Sequence, residues 1–319
     1  MDFGLQGSNG KKLRYVENPH QAGTFFEVED EKGDPLAIQN FALLQGKVLS
    51  YNNYLYMDGV LFALSHMGGD EAGCVIVKHT NPCGAALRAT LPEAYQAAWY
   101  EGDPLAAFGG VMAVNREVDG ALAEKITQNF FEILLAPSVT EDAKAVFEKK
   151  PNLRVLVNPA LEKPTPSAAE SLHKVRGGIL VQDSDVKKLL VSDLKTATKR
   201  VPTESEVADL LFAWAICRST KSNTVVAVKD KTLIASGAGQ QDRKRCAELC
   251  VLKGGDKLTG AVAASDGFFP FPDGLEVLMR AGVTAVIQPG GSVKDAEVIA
   301  AADNAGITMV FSGMRAFRH

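Results

Sequence analysis

Residues 74–84 read Cys-Val-Ile-Val-Lys-His-Thr-Asn-Pro-Cys-Gly, and the fold turns on where the strand in this stretch ends. Cys74, Val75, Ile76 and Val77 form a short, branched, uninterrupted apolar run, as expected of a strand buried on both faces of a parallel sheet. Asn81, Pro82 and Gly84 are turn formers, and residues 85–99 carry apolar side chains at helical spacing. This reading puts Lys78 and His79 at the carboxyl end of a strand, with a helix to follow. Open α/β sheets bind their ligands in the crevice at that edge. Adjacent strand residues point to opposite faces, so both side chains reach one ligand only if the strand has already ended.

The rest of the chain is compatible with such a site. With 319 residues, 46% hydrophobic and 23% charged, the balance is that of a globular protein with room for two domains. The net charge of −4 argues against nucleic-acid or anionic-membrane binding through overall charge, while leaving room for a local basic pocket that holds a phosphate. A small-molecule ligand is favoured. No apolar run approaches the length of a membrane span, and the start MDFGLQGSNGKKLRY has neither an apolar signal core nor a small-residue cleavage site, so a cytoplasmic location is expected. Five cysteines form an odd set. Cys246 and Cys250 have helical spacing and no nearby histidine, which speaks against structural zinc and for buried thiols in a reducing compartment.

Residues 58–67 are helical in character, an irregular proline-containing stretch at 158–171 is the best candidate boundary, an apolar strand resumes at 177–181, and 204–216 reads as a helix. The chain also resembles itself. Residues 110–158 and 260–312 run through the same order: a small apolar strand (GVMAV, GAVAA), a helix, a second strand ending near proline (FEILLAP, VTAVIQP), another helix, and a third strand (LRVLV, ITMVF). The offset stays between 150 and 154 residues, which points to a duplication and to two similar α/β units. The expected division is 1–160 and 161–319, with 161–175 as linker.

Five further segments carry side chains that a turn alone would not need. Arg14 and Tyr15 precede ENPHQ, and DPLAAFGG places Phe108 before Gly109 and Gly110. Lys221, Ser222 and Asn223 precede the strand VVAV, GAGQQDR spans residues 237–243, and ASDGFFPFPDG spans 264–274. GAGQQDR matches neither the dinucleotide fingerprint nor a phosphate loop. The phenylalanines at 268, 269 and 271 suit either a core or a ligand shelf. His79 suits either a structural role or a base, and the positive charge of Lys78 beside it favours the neutral imidazole that can accept a proton.

In this order, LRYVENPHQ, KHTNPCG, DPLAAFGG, KSNTVVAVKD, GAGQQDR, ASDGFFPF, IQPGGSVKD and the terminal GMRAFRH resemble the AICAR (phosphoribosylaminoimidazolecarboxamide) transformylase family, the carboxyl-terminal half of a bifunctional purine-biosynthesis protein. The likeness runs from about residue 13 to 319, without the IMP cyclohydrolase half. It implies an α/β fold of two duplicated cytidine-deaminase-like three-layer α/β/α units. It also implies transfer of the formyl group of 10-formyltetrahydrofolate, as co-substrate, to the 5-amino group of AICAR, by a homodimer with active sites near the subunit interface and no catalytic metal. Ring closure would fall to a separate IMP cyclohydrolase.

By this resemblance His79 is the base, Lys78 stabilises the transfer, and Asn223 orients the base or the transferred group. Arg14 and Arg315 would pair with the AICAR phosphate, while Tyr15, Gly109, Glu132, Arg243 and Phe268 would line the nucleotide site. Lys244, Asp273, Ser292 and Val293 match positions near the folate. Three departures stand out: Val16 where glycine is usual, Ala107 for serine, and Gly267 for alanine. Two rival readings are a zinc-dependent nucleoside deaminase, which needs an HxE and a PCxxC set that are absent here, and a catalytically silent nucleotide-binding subunit, against which the intact Lys78, His79 and Asn223 speak.

Overall fold

A computed structural model describes residues 3–31 and 33–319. The first half runs β1 (Gly7–Leu13), β2 (Gly23–Val28), β3 (Ala42–Gln45), α1 (Tyr51–Met67), β4 (Ala72–Lys78), β5 (Asn81–Arg88), α2 (Leu91–Tyr100), α3 (Pro104–Ala107), β6 (Gly110–Val114), α4 (Gly120–Thr127), β7 (Phe131–Ala136), α5 (Glu141–Phe147) and β8 (Arg154–Val157). After β9 (Ser171–Val175), β10 (Gly178–Gln182) and β11 (Lys195–Thr196), the second half runs α6 (Glu204–Arg218), β12 (Val225–Lys229), β13 (Thr232–Gly237), α7 (Arg243–Gly254), β14 (Val262–Ser265), α8 (Pro272–Arg280), β15 (Ala285–Gln288), α9 (Asp295–Ala305) and β16 (Thr308–Phe311). The fold is mixed α/β.

The opening stretch departs from its sequence reading in two respects. β4 is buried on both faces, as expected, but its neighbours β5 and β6 both run antiparallel to it. The chain then turns back at once instead of entering a helix: His79 (φ 48°) and Thr80 (φ 64°) form a two-residue left-handed turn, and Asn81 already pairs with Lys78. Such a turn matches the twist of the strands it joins. The helix expected over 85–99 begins only at Leu91, after Thr90 and Glu93 form a capping box. The run 83–87, Cys-Gly-Ala-Ala-Leu, is apolar on every side and carries no period that separates a buried strand from a helix. Pairing partners decide it, with β4 on one side of β5 and β13 on the other.

One sheet of twelve strands carries the molecule, in the order β11-β16-β15-β14-β12-β13-β5-β4-β6-β7-β8-β3. Outward from the β13–β5 junction each half reads alike: an antiparallel hairpin, an antiparallel step to the next strand, two parallel steps, and a short antiparallel edge strand. The parallel trio of each half is the trio read from the sequence echo. The second hairpin also closes through two residues of positive φ, Asp230 and Lys231.

Alternate side chains along each strand divide the interior into layers, because successive strand residues point to opposite faces. Val75 and Val77 of β4 and Val226 and Val228 of β12 face α1 and α6, in a core that runs across both halves. Cys74 and Ile76 face α2, α4 and α5, while Val225 and Ala227 face α7, α8 and α9. The junction is tied further by Leu87 N–H donating to Lys231 O (3.1 Å), by Arg88 to Asp230 O and Thr232 Oγ1 (both 2.6 Å), and by the Lys231–Glu71 ion pair at 2.7 Å. The strand expected at 177–181 is β10, which pairs only with β9 in a largely exposed hairpin outside the main sheet.

Candidate functional site

β4 ends at Lys78, so the turn frees the next side chain from the alternation of the strand. The half-buried Lys78 ammonium donates to the carbonyls of Phe108 (3.0 Å) and Gly109 (2.9 Å), in the loop between α3 and β6. Gly109 has φ 68°, and a Cβ there would stand 3.1 Å from Lys78 Nζ, so glycine suits both the turn and the close approach. His79 reaches the other way, its Nδ1 lying 2.8 Å from the Tyr56 hydroxyl on α1. One turn earlier on α1, Asn53 Nδ2 donates to Glu132 Oε2 at 3.4 Å, which brings Glu132 to the same helix face. Burial raises the Tyr56 pKa above the usual phenol range, and the negative charges of Glu132 and Glu17 add to it.

A second group of side chains lies along the same sheet edge. Asn81, the first residue of β5, accepts from the Lys221 backbone N–H through Oδ1 (2.9 Å) and donates to His79 O through Nδ2 (3.1 Å), joining the His79 turn to residues 221–223. Asn223 Nδ2 donates to the carbonyls of Gln240 and Gln241, both at 3.1 Å, while its Oδ1 accepts from Arg243 Nη2 at 2.9 Å. The other end of the Arg243 guanidinium pairs with Asp266, donates to Ser265 Oγ at 2.7 Å, and reaches Thr224 O at 3.4 Å. Asp266 is wholly buried and accepts from Ser222 Oγ at 2.5 Å through its other oxygen. A buried charge is tolerable only when paired and hydrogen-bonded in this way. Arg243 and Asp266 therefore hold Asn223 in place.

Of the remaining residues singled out by sequence, those at the carboxyl terminus and in ASDGFFPF adjoin this network: Ala316 N–H, next to Arg315, donates to Asp266 O at 3.0 Å, and a Cβ on Gly267, next to Phe268, would stand 2.9 Å from the Phe317 ring. Arg14 and Tyr15 follow β1 and are exposed, with the guanidinium carbon 5.3 Å from the Tyr15 ring centre. Arg315 is exposed in the last segment, 5.2 Å from the Phe317 ring centre. Phe268 is partly exposed and Phe269 is fully buried in the core, so neighbouring residues of the aromatic cluster divide between shelf and core. Lys244 and Asp273 approach each other at 3.9 Å between α7 and α8. Ser292 Oγ accepts from Lys294 N at 3.1 Å, and Val293 is almost entirely exposed.

A cavity of about 360 Å³ opens against Phe108 and Phe130, beside the Lys78 loop, with Ile126, Asn129 and Lys149 among its lining. A cavity of about 410 Å³ is lined by Asp58, Leu61 and Phe62 of α1 and by Phe317 and Arg318 of the terminal GMRAFRH. Tyr56, Asn53 and Asp266 were not singled out in the sequence, and Asn81 and Ser222 were named there without a role in the site. Asp266 stands in ASDGFFPFPDG, so for it a signal was present.

Two of the three departures from the pattern, at 16 and 267, are accommodated. Val16 has no positive φ, so its backbone does not need glycine. At 267 an alanine Cβ would stand 2.6 Å from Arg243 Nη2, which the glycine avoids. Cys83, the cysteine a zinc reading would require, points into the core toward Ile76 O at 3.5 Å, and burial pushes its thiol up to about 12. Among the described residues, no three histidine, cysteine, aspartate or glutamate side chains gather as metal ligands, and no helix is long and apolar enough to cross a membrane.

Comparison with known proteins agrees with the order of motifs. The chain is 46% identical over 327 aligned residues to the "Bifunctional purine biosynthesis protein PurH" of Dinoroseobacter shibae, covering 99% of this chain and 61% of that protein. The PurH of an Anaeromyxobacter species is 44% identical, covering 98% of this chain and 60% of its own. The chain thus spans about three fifths of the length of these relatives. The family model described as "AICARFT/IMPCHase bienzyme" matches residues 2–253, and the chain belongs to that family.

Proposed function

We propose that this chain is the formyl-transferring part of purine biosynthesis, moving the formyl group of 10-formyltetrahydrofolate to the 5-amino group of AICAR and giving formyl-AICAR and tetrahydrofolate. The observation that carries this reading is the Lys78–His79 turn, joined through Asn81 to the Asn223–Arg243–Asp266 network, in a chain 46% identical to a PurH protein.

The amine of AICAR is conjugated to an imidazole bearing a carboxamide, so it is a weak nucleophile and must lose a proton as it attacks. His79 takes that proton. The new C–N bond converts the formyl carbon to a tetrahedral centre with negative charge on its oxygen, and the Lys78 ammonium, already aligned by two carbonyls, stabilises that charge. The bond to the folate nitrogen then breaks, and that nitrogen takes up a proton as it leaves. Asn223, held by Arg243 and by the carbonyls of Gln240 and Gln241, orients the reacting groups. Arg14 and Arg315 pair with the phosphate, Phe268 stacks on the heterocycle, and Tyr15, Gly109 and Glu132 complete the nucleotide site. Lys244, Asp273, Ser292 and Val293 face the folate.

The same reading makes each half a cytidine-deaminase-like unit, divided near residue 160 with 161–175 as linker. It makes the working form a cytoplasmic homodimer. The mirrored strand order supports the first of these. Purified protein is expected to consume 10-formyltetrahydrofolate only when AICAR is present, and His79→Ala to lower turnover at least about 100-fold while AICAR still binds. Consumption that ignores AICAR, or full activity of the variant, would overturn the assignment.

A further inference from the structure

A neutral imidazole has one N–H, so what lies against Nδ1 decides whether Nε2 is a base or a donor. The contact against Nδ1 of His79 is the Tyr56 hydroxyl, which can play either part. If the phenol donated its proton to Nδ1, the imidazole proton would sit on Nε2, and the ring would have no lone pair left for a substrate. If the phenol accepts, Nδ1 carries the proton and Nε2 is free.

The surroundings of Tyr56 select the second arrangement. The His79–Thr80 turn lies over the carboxyl-terminal side of Tyr56 on α1, since a Cβ on Gly59 would meet Thr80 Cα at 3.1 Å. Glu132 is held on the amino-terminal side, through Asn53. The phenol meets the imidazole directly and shares its helix face with Asn53, which holds the carboxylate. Glu132, held against Asn53 one turn away on the same helix face, favours the arrangement in which the phenol proton points away from the ring and an oxygen lone pair faces it. Lys78, the neighbouring cation, is already occupied by the carbonyls of Phe108 and Gly109.

The other half of the molecule bears on the same point. Asp209 of α6, 153 residues after Tyr56, meets the equivalent turn, accepting from the backbone N–H groups of Asp230 (2.9 Å) and Lys231 (2.6 Å). In that half the helix residue at this place can only accept.

We infer that Tyr56 is a positioning residue for His79: its hydroxyl accepts the Nδ1 proton and keeps Nε2 unprotonated and aimed at the substrate amine. The consequence for turnover rests on the formyltransferase reading, but the consequence for the ring does not. In protein carrying ¹⁵N-histidine, neutral His79 is expected to show the nitrogen shifts of the Nδ1–H form, and Tyr56→Phe to move them toward the Nε2–H form. In the formyl-transfer assay, Tyr56→Phe is expected to lower kcat about 10- to 100-fold, with KM for AICAR changed less than about twofold. A wild-type Nε2–H ring, or a Tyr56→Phe variant with unchanged ring shifts and unchanged kcat, would overturn the inference. A wild-type protein that shows the Nδ1–H ring but transfers no formyl group would sink the proposed reaction and leave the tautomer assignment standing.

Discussion

Arg243 is the residue whose replacement should cost the most for its size. Its guanidinium is enclosed with Asp266, which is fully buried and whose oxygens are met by Arg243 and Ser222. Removing the cation leaves a carboxylate without water or counter-charge, a situation that costs about 3–5 kcal/mol. Arg243→Met should therefore lower unfolding free energy in urea by about that amount, and should lower turnover as well, since Asn223 loses the donor to its Oδ1. Unchanged stability would mean that the pair is dispensable. At this scale part was legible: Lys78 and His79 at the end of an apolar run, Asn223 before a strand, and Arg243 at the start of a helix. Tyr56 was not. It is 23 residues from His79, on a helix whose other tyrosines at 51 and 54 look the same in a linear reading.

At the scale of elements, two strand glycines let helices lie close on the sheet. A Cβ on Gly84 of β5 would stand 2.2 Å from Ala98 O of α2, and one on Gly237 of β13 would stand 1.9 Å from Cys246 O of α7. Neither obstacle is a flexible side chain, so the helix itself must shift. Gly84→Ala should destabilise by about 1–3 kcal/mol, as overpacking does, measurable as a lower urea midpoint at an unchanged slope.

Helix α6 offers a pH test. Glu206 closes a capping box with Thr203 and also accepts from Arg200 and Thr284 Oγ1. Burial pushes its carboxyl up, but the hydrogen bond from Arg200 and those from Thr203 and Thr284 outweigh burial, and its pKa lies below the usual glutamate value of 4.5. A group held lower in the folded state stabilises fully above the unfolded value and loses that contribution as pH falls through the folded one. Glu206→Gln should thus cost about 1–2 kcal/mol at pH 7 and less as the pH drops below the usual glutamate range. Equal losses at both pH values would contradict the linkage.

For the whole molecule, the decisive feature is the β5–β13 junction. The two halves share one sheet and one core across α1 and α6, and the ties of Arg88 and Lys231 cross the seam. Neither half can expose its junction strand without leaving a row of unpaired backbone groups and part of that core in water. Heating should give one transition, with calorimetric and van't Hoff enthalpies that agree. Two resolved transitions would show that the halves unfold separately.

Residue order alone was enough to establish the alternation of strands and helices, the repeated trio of strands, and an apolar run that ends at Lys78 and His79. These are local or periodic properties, written in side-chain type and spacing. Tertiary structure alone decided that β4 runs against both of its neighbours, that residues 81–88 form a strand and not the start of a helix, and that Tyr56 meets His79. An apolar run buried on both faces carries no mark of direction, and Cys-Gly-Ala-Ala-Leu packs equally well as either element until a partner strand claims its backbone. Residues far apart in the chain acquire their relation only when the sheet has closed around its centre and brought α1 down onto the turn.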